Sequence, residues 1–385
     1  MPLPQPRDRL DTLADWGVSL HGFVRLCLNV SIFALAVCAA PVTLRAAIGP
    51  ALADYDFVVD VLREDYAGFP TKTDGERGAQ FEALVRQHRA RIERDPDAAA
   101  TEIRALLGWF RDRHLGLSGP PTAKATRAAQ RAQVPAQARP LPPDEFFLRR
   151  LSPETLWLRL PDFGAEHRTE IEALLERNDA ALRSTPNLIV DIRENGGGAD
   201  SSYEKLMGYL NTRPIYSIGV EVRDTPRNLA YYEAAASNAD LPADTRTVVV
   251  DLVDRLRTSN GEWVPFFERG FAIQTYPEVL PFPKRVGIIA TGAASAGDQF
   301  AIDARFSRKV TFFGGPTAGA IDFSNVTEAP WPSNPDYQLR WPTTRSQRLL
   351  EEPLDNIGVR PDVPFGREVE DPVIAAQAWL ESQSR

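Results

Sequence analysis

The stretch that decides the reading of this chain is Val286-Gly-Ile-Ile-Ala-Thr-Gly-Ala-Ala-Ser-Ala-Gly-Asp-Gln-Phe-Ala-Ile-Asp-Ala-Arg-Phe306. Its first six residues, Val286 to Thr291, are short, apolar and flanked by turn signals, which predicts a buried strand. Gly292, Ala293 and Ala294 are small enough for backbone and partner groups to approach closely. Ser295 follows, and after it Phe300, Ala301 and Ala304 recur at helical spacing. A serine at a strand-to-helix turn places its hydroxyl at the positive end of a helix dipole, which favours a nucleophile. The same residues also fit a plain capping box, Ser295 with Asp298 three residues on, which any helix can carry. Deciding between these readings requires a base, an orienting acid and oxyanion donors from elsewhere in the chain.

Composition narrows the search. The 385 residues suffice for one large or two modest domains. A hydrophobic content of 43% and a charged content of 25% are ordinary for a globular protein, and a net charge of −8 with no basic stripe argues against a nucleic-acid partner. The two cysteines, Cys27 and Cys38, both lie in the N-terminal apolar segment. A cysteine nucleophile, a thiolate zinc site and structural disulfides are therefore excluded from the body of the protein. The apolar segment over residues 26–39 is short for a membrane span and suits the hydrophobic region of a signal peptide, with Arg25 before it and small residues such as Ala39, Ala40, Ala46 and Ala47 after it. Residues 1–53 are read as a leader that directs export to a periplasm or the outside. Membrane association is expected only if that leader stays uncleaved.

Residues 54–117 carry three apolar stripes of helical period and read as a small helical domain ending at Asp112-Arg113-His114. Residues 118–143 are rich in breakers and read as a linker. From residue 144 to 385 the order strand, helix, strand, glycine turn, helix implies a layered α/β core. In it, 155–160 and 188–192 are strands, 166–182 and 201–210 helices, and 337–341 an edge strand. An insertion over about 213–281 holds a strand at 215–222 and helices at 228–236 and 245–257.

Four histidines could serve Ser295 as base: His21, His88, His114 and His167. His21 lies in the leader. His88 sits among arginines and is expected to be solvated, and His167 is expected on a surface. His114 ends a helix close to Asp112, which fits either a base or a histidine that favours a helix dipole. Gly196-Gly197-Gly198, after a buried strand, is the kind of turn that supplies oxyanion-binding N–H groups, and three consecutive glycines exceed what one turn requires. No G-x-S-x-G elbow, P-loop, dinucleotide fingerprint or HExxH occurs.

Taken together, Leu188-Ile-Val-Asp-Ile-Arg-Glu-Asn-Gly-Gly-Gly198, Ala293-Ala-Ser-Ala-Gly-Asp298 and Gly315-Pro-Thr-Ala-Gly319 resemble the tail-specific (C-terminal processing) serine peptidases over most of the chain after residue 54. The resemblance implies a ClpP/crotonase-like α/β core of ββα units with a small N-terminal helical domain. It implies Ser295 as nucleophile, and backbone amides of Gly197, Gly198 and Ala296 as the oxyanion hole. Ala320 stands where the bacterial processing enzymes carry a lysine base, and no segment suits a PDZ domain. The tricorn core protease branch is the nearer resemblance. Its D-x-H motif matches Asp112-Arg113-His114, implying His114 as base. Its E-N-x-G-V-x-P-D motif matches 355–362 with Asp355, in place of Glu, as the orienting acid. Asp298 also replaces a usual Glu. The substrate implied is a peptide or protein, with no metal or cofactor. A catalytically weak member that binds a peptide or hydrophobic ligand, and a hydrolase of small esters or amides, are the competing expectations.

Overall fold

The computed structural model describes residues 49–119, 144–239, 241, 243–349 and 351–383. Residues 1–48 of the expected leader and 120–143 of the expected linker lie outside the described residues.

Four helices open the described chain: α1 (Pro50–Glu64), the single turn α2 (Phe69–Lys72), α3 (Glu76–Arg94) and α4 (Ala99–Trp109). A short strand, β1 (Gly116–Ser118), follows at once. The apolar stripes of α1, α3 and α4 meet through Val58, Leu62, Phe81, Ile92, Ile103 and Leu106. This core is completed from the other end of the sequence, by Trp331, Leu339 and Trp341. The helices thus bury their faces against strands of the main body and do not close a core of their own.

The layered core begins with β2 (Phe147–Ser152) and β3 (Thr155–Arg159), continues through α5 (Arg168–Arg177), α6 (Asp179–Leu182), β4 (Asn187–Asp191) and α7 (Glu204–Leu210), and resumes after the insertion. The segment expected as an insertion, residues 213–281, contributes β5 (Ile215–Ile218), β6 (Val220–Arg223), α8 (Pro226–Ala236), α9 (Ala243–Thr258), β7 (Trp263–Pro265) and β8 (Phe271–Gln274). Then come β9 (Arg285–Ile289), α10 (Ala296–Ala304), β10 (Val310–Gly314), β11 (Phe323–Pro330), β12 (Gln338–Ser346), β13 (Val363–Pro364) and α11 (Pro372–Ser382).

Six strands form the central sheet in the order β13-β10-β9-β4-β3-β2. All its pairings are parallel except that of β2 with β3. Parallel strands buried on both faces carry continuous apolar runs, and β4 and β9 do so. Leu188, Val190, Val286 and Ile288 face a core shared with Ile171, Leu174, Leu206 and Phe300 of the helices on one side. Ile189 and Ile289 face Phe313, Val373 and Leu380 on the other. Because β4 and β9 are neighbours in register, the glycine turn after β4 and the serine turn after β9 leave the same edge of the sheet side by side.

Two sequence expectations are corrected. The strand expected at 337–341 as an edge is β12, an interior strand that pairs with β11 along its length and with β1 and β6 on its other side. β11 is its hairpin neighbour in the chain, but β1 and β6 on the other side come from distant segments, so no local pattern shows that both sides are occupied. The single strand expected at 215–222 breaks at Gly219 into β5, which pairs with β8, and β6, which joins β12 and β7. Both inserted helices form as expected, and with Val222, Val264 and Phe266 they enclose a separate apolar cluster.

Candidate active site

Ser295 stands at the junction of β9 and α10 with φ 57° and ψ −117°. This conformation is costly for an L-residue, on the order of 1–3 kcal/mol, and persists only where the surroundings impose it. The surroundings are specific. Asp298, fully buried, accepts the Ser295 N–H at 3.0 Å and the N–H groups of Gly319 and Ala320, each at 2.9 Å. One carboxylate thereby ties the serine turn to the Gly315–Gly319 segment. Burial pushes the Asp298 carboxyl up from its ordinary range, and the hydroxyl of Thr317 and the three N–H donors pull it back. The capping residue foreseen in the sequence also holds the turn in its strained form.

The glycine turn lies directly against this serine. Gly197 has φ 97°, and a Cβ built there would come within 2.5 Å of Ser295 Cβ and 3.0 Å of Ala296 N. Only glycine allows that approach. The turn does not offer all its N–H groups, however. The Gly197 N–H is taken by Asn195 Oδ1 at 2.8 Å, so the expectation of Gly197 as an oxyanion donor is not met in this geometry. Among the described residues no hydrogen bond engages the N–H of Gly198 or of Ala296. Phe163 pairs with the turn, its N–H donating to Gly197 O at 3.0 Å and its carbonyl accepting from Ala199 at 2.8 Å. That pairing fixes the direction of the Gly198 peptide.

His114 reaches the site from the end of the N-terminal helices. Its Nδ1 lies 2.7 Å from the carbonyl oxygen of Phe323 at the start of β11. A carbonyl can only accept, so Nδ1 carries the proton and Nε2 is left as the acceptor that a general base needs. Burial holds the His114 imidazole below its ordinary value, opposed by the Asp112 carboxylate and the Phe323 carbonyl, and more weakly by Asp298. Asp298 thus bonds the Ser295 N–H and is the weakest of the groups that raise the His114 value against burial. Among the described residues Ser295 and His114 are not hydrogen-bonded to each other.

Asp112 does not touch the imidazole. Its Oδ1 accepts the His114 backbone N–H at 2.9 Å and its Oδ2 accepts the Tyr66 hydroxyl at 2.7 Å. The D-x-H motif is thus a turn whose carboxylate fixes the backbone that carries the histidine. Asp355, expected to orient the imidazole, is placed otherwise. Its Oδ2 pairs with Lys72 Nζ at 2.5 Å and with Asn356 Nδ2 at 3.0 Å. The position expected of Asp355 at Nδ1 is held by the Phe323 carbonyl. Burial raises the Asp355 carboxyl, while Lys72 lowers it.

Lys72, Tyr66, Asp322 and Phe323 escaped the sequence reading. Lys72 also donates to Phe110 O at 3.1 Å and lies 5.0 Å from the Phe323 ring centroid, so it joins three segments near His114. Asp322, fully buried, accepts the N–H groups of Leu354 and Asp355 at 2.6 and 2.8 Å and so sets the loop that carries Asp355. No local pattern marks these residues, because their partners are up to 283 positions away. Gly319 and Gly358 could have been read as a pair: each has positive φ, and each packs against the other's loop backbone too closely for a Cβ. His88, expected to be solvated, is buried on α3 and bonds Glu102 Oε2 at 2.6 Å. His167 is half-buried against the Phe146 ring.

Comparison with known proteins bears on the fold and the family. The fold is shared with mature CPAF complexed with lactacystin, at 14% identity over 87% of this chain and 97% of that one, TM-score 0.56. It is also shared with a protein from Parabacteroides merdae ATCC 43184 assigned as a peptidase, at 13% identity over 86% and 97%, TM-score 0.53. No curated protein sequence matches the chain. The family model for peptidase family S41 matches residues 154–365, more than half of the chain and including β4, the glycine turn, the Ser295 turn and the Asp355 loop. The chain belongs to peptidase family S41, the tail-specific peptidases, and is a serine-type peptidase that acts on peptide or protein substrates.

Proposed function

We propose that Ser295 is the nucleophile and His114 the general base of an acyl transfer from a peptide bond. The observation that carries this reading is the strained Ser295 turn, held by Asp298 with Gly197 packed against it. Ser295 Oγ attacks the substrate carbonyl while its proton passes to His114 Nε2. The tetrahedral oxyanion is stabilised by the Gly198 and Ala296 N–H groups, which point from a glycine turn and a helix start. The imidazolium then gives its proton to the leaving amine, and water repeats the cycle to release the acyl group. The Phe323 carbonyl holds the imidazole tautomer, and the nearby Asp112 and Asp298 carboxylates stabilise the transient positive charge. Asp355 acts at one remove, through Lys72 and the loop it anchors.

A fluorophosphonate probe tests the assignment. Labelling of the folded wild type that disappears in Ser295→Ala and His114→Ala supports it, and absence of labelling in wild type refutes it. As for organisation, we read 54–117 as a helical unit that delivers His114, 144–385 as the peptidase core, and about 213–281 as an insertion. No helix among the described residues is long and apolar enough to cross a membrane. The apolar segment at 26–39 is the basis for proposing export, and the N-terminal sequence of the mature protein isolated from its host tests that.

A further inference from the structure

Beside the catalytic turn lies a cavity of about 50 Å³, several times the roughly 10–15 Å³ that one water requires. Each segment that builds the catalytic turn contributes to its wall. Asp200 stands two residues after Gly198, Gln299 one helical turn after Ser295, and Asn325 two residues after the Phe323 that holds the base. The opposite wall comes from the insertion, through Ser217 and Phe266, and Arg348 follows β12. Two polar atoms on this lining are buried without a partner: Ser217 Oγ and Arg348 Nε. Their residues are only 6% and 7% exposed. Ser217 faces inward because β5 alternates, with Tyr216 and Ile218 exposed on either side of it. Arg348 reaches Asp322 through Nη2 at 3.4 Å, which leaves Nε uncommitted.

A native interior rarely keeps two such groups unpaired in one cavity unless something else pairs them. An Arg Nε–H can only donate, and a serine hydroxyl can donate or accept, so the missing partner carries an acceptor. The Asp200 carboxylate, which also lines the cavity, disfavours a second carboxylate and favours a group that also donates. A carboxamide satisfies both demands, with its oxygen toward Arg348 and Ser217 and its NH₂ toward Asp200. We propose that this cavity is a substrate subsite for a carboxamide side chain, glutamine or asparagine, next to the peptide bond that is cleaved. The proposal rests on the acyl-transfer reading above and specifies its substrate.

Matched fluorogenic peptides that differ by glutamine, glutamate or methionine at each position flanking the scissile bond provide the test. At one position kcat/KM for glutamine is expected to exceed that for methionine and for glutamate by roughly tenfold or more, as for sites built to pair a polar side chain. In Ser217→Ala the glutamine-to-methionine ratio should fall several-fold toward one. Arg348→Lys, which keeps the charge and loses Nε, should lower it further if the variant folds. Cleavage with no glutamine preference at any position, or a ratio unmoved in Ser217→Ala, would overturn the subsite and identify a merely water-filled cavity, with the acyl-transfer reading intact. Absence of both cleavage and fluorophosphonate labelling would sink the two together.

Discussion

The Ser295 turn and the His114 segment are built in opposite ways. The serine side is local: strand, small residues, serine and helix follow one another within about twenty positions, and the carboxylate that holds the turn is three residues away. The histidine side is assembled from afar. Its ring rests on a carbonyl 209 residues distant, and the Lys72–Asp355 pair beside it spans 283. The Ser295 turn is therefore stabilised with the central sheet, whereas His114 depends on how the helices dock on β11 and β12. The proposed mechanism needs both, and the docked half is the more easily disturbed.

The largest effect should come from the local half. Ser295→Ala is expected to lower kcat by on the order of 10⁶, as loss of a triad serine does, while thermal unfolding stays close to wild type. Activity retained within a hundredfold would refute Ser295 as nucleophile.

Next comes the docking contact. Lys72→Met leaves the Asp355 carboxylate without its cation, in a pair whose side chains are only 10% and 18% exposed. Removing one partner of a buried pair costs about 3–5 kcal/mol. We expect denaturant unfolding to show a loss of up to that size and kcat to fall more than KM rises, since it is His114, the proposed base, that is displaced. The double variant Lys72→Met/Asp355→Leu should recover much of the stability. If it is no more stable than the single variant, the ion pair is not what docks the helices.

A smaller effect is expected from Asp355→Asn. When a carboxylate sets the imidazole tautomer, its amide variant loses about 10⁴ in kcat. Here the Phe323 carbonyl sets it, so a loss of less than about tenfold is expected. A loss near 10⁴ would return the orienting role to Asp355.

The smallest signal is in the pH profile. Burial lowers the His114 value, so the neutral, basic form persists to lower pH than for an ordinary histidine of about 6.5. The acid limb of kcat/KM should accordingly lie below 6.5, with activity lost as pH falls through it. A midpoint at or above 7 would show that carboxylates outweigh burial at the ring.

How much of this was legible follows the same division. Val286–Phe306 disclosed its strand, turn and helix because apolar spacing, small residues and a capping acid are all local signals. Asp112-Arg113-His114 disclosed the histidine, but not that Asp112 grips the backbone and Tyr66 while the ring turns to Phe323. Gly196-Gly197-Gly198 was readable as a tight turn after a buried strand. That Asn195 claims the Gly197 N–H was not, since an asparagine's choice of partner depends on the final path of the turn. Lys72 gave no sign, because a lysine in a single helical turn looks like any solvated one.

By itself, then, the sequence determined the strands and helices of the layered α/β core, the strand-to-helix turn at Ser295 and its capping acid. These rest on interactions between neighbours in the chain. The tertiary structure alone decided that β12 is interior, that the helices share its core, that a carbonyl replaces a carboxylate at the imidazole, and that Ser217 and Arg348 meet across one cavity. Those outcomes depend on pairings between groups far apart in sequence, and such pairings exist only once the chain has closed upon itself.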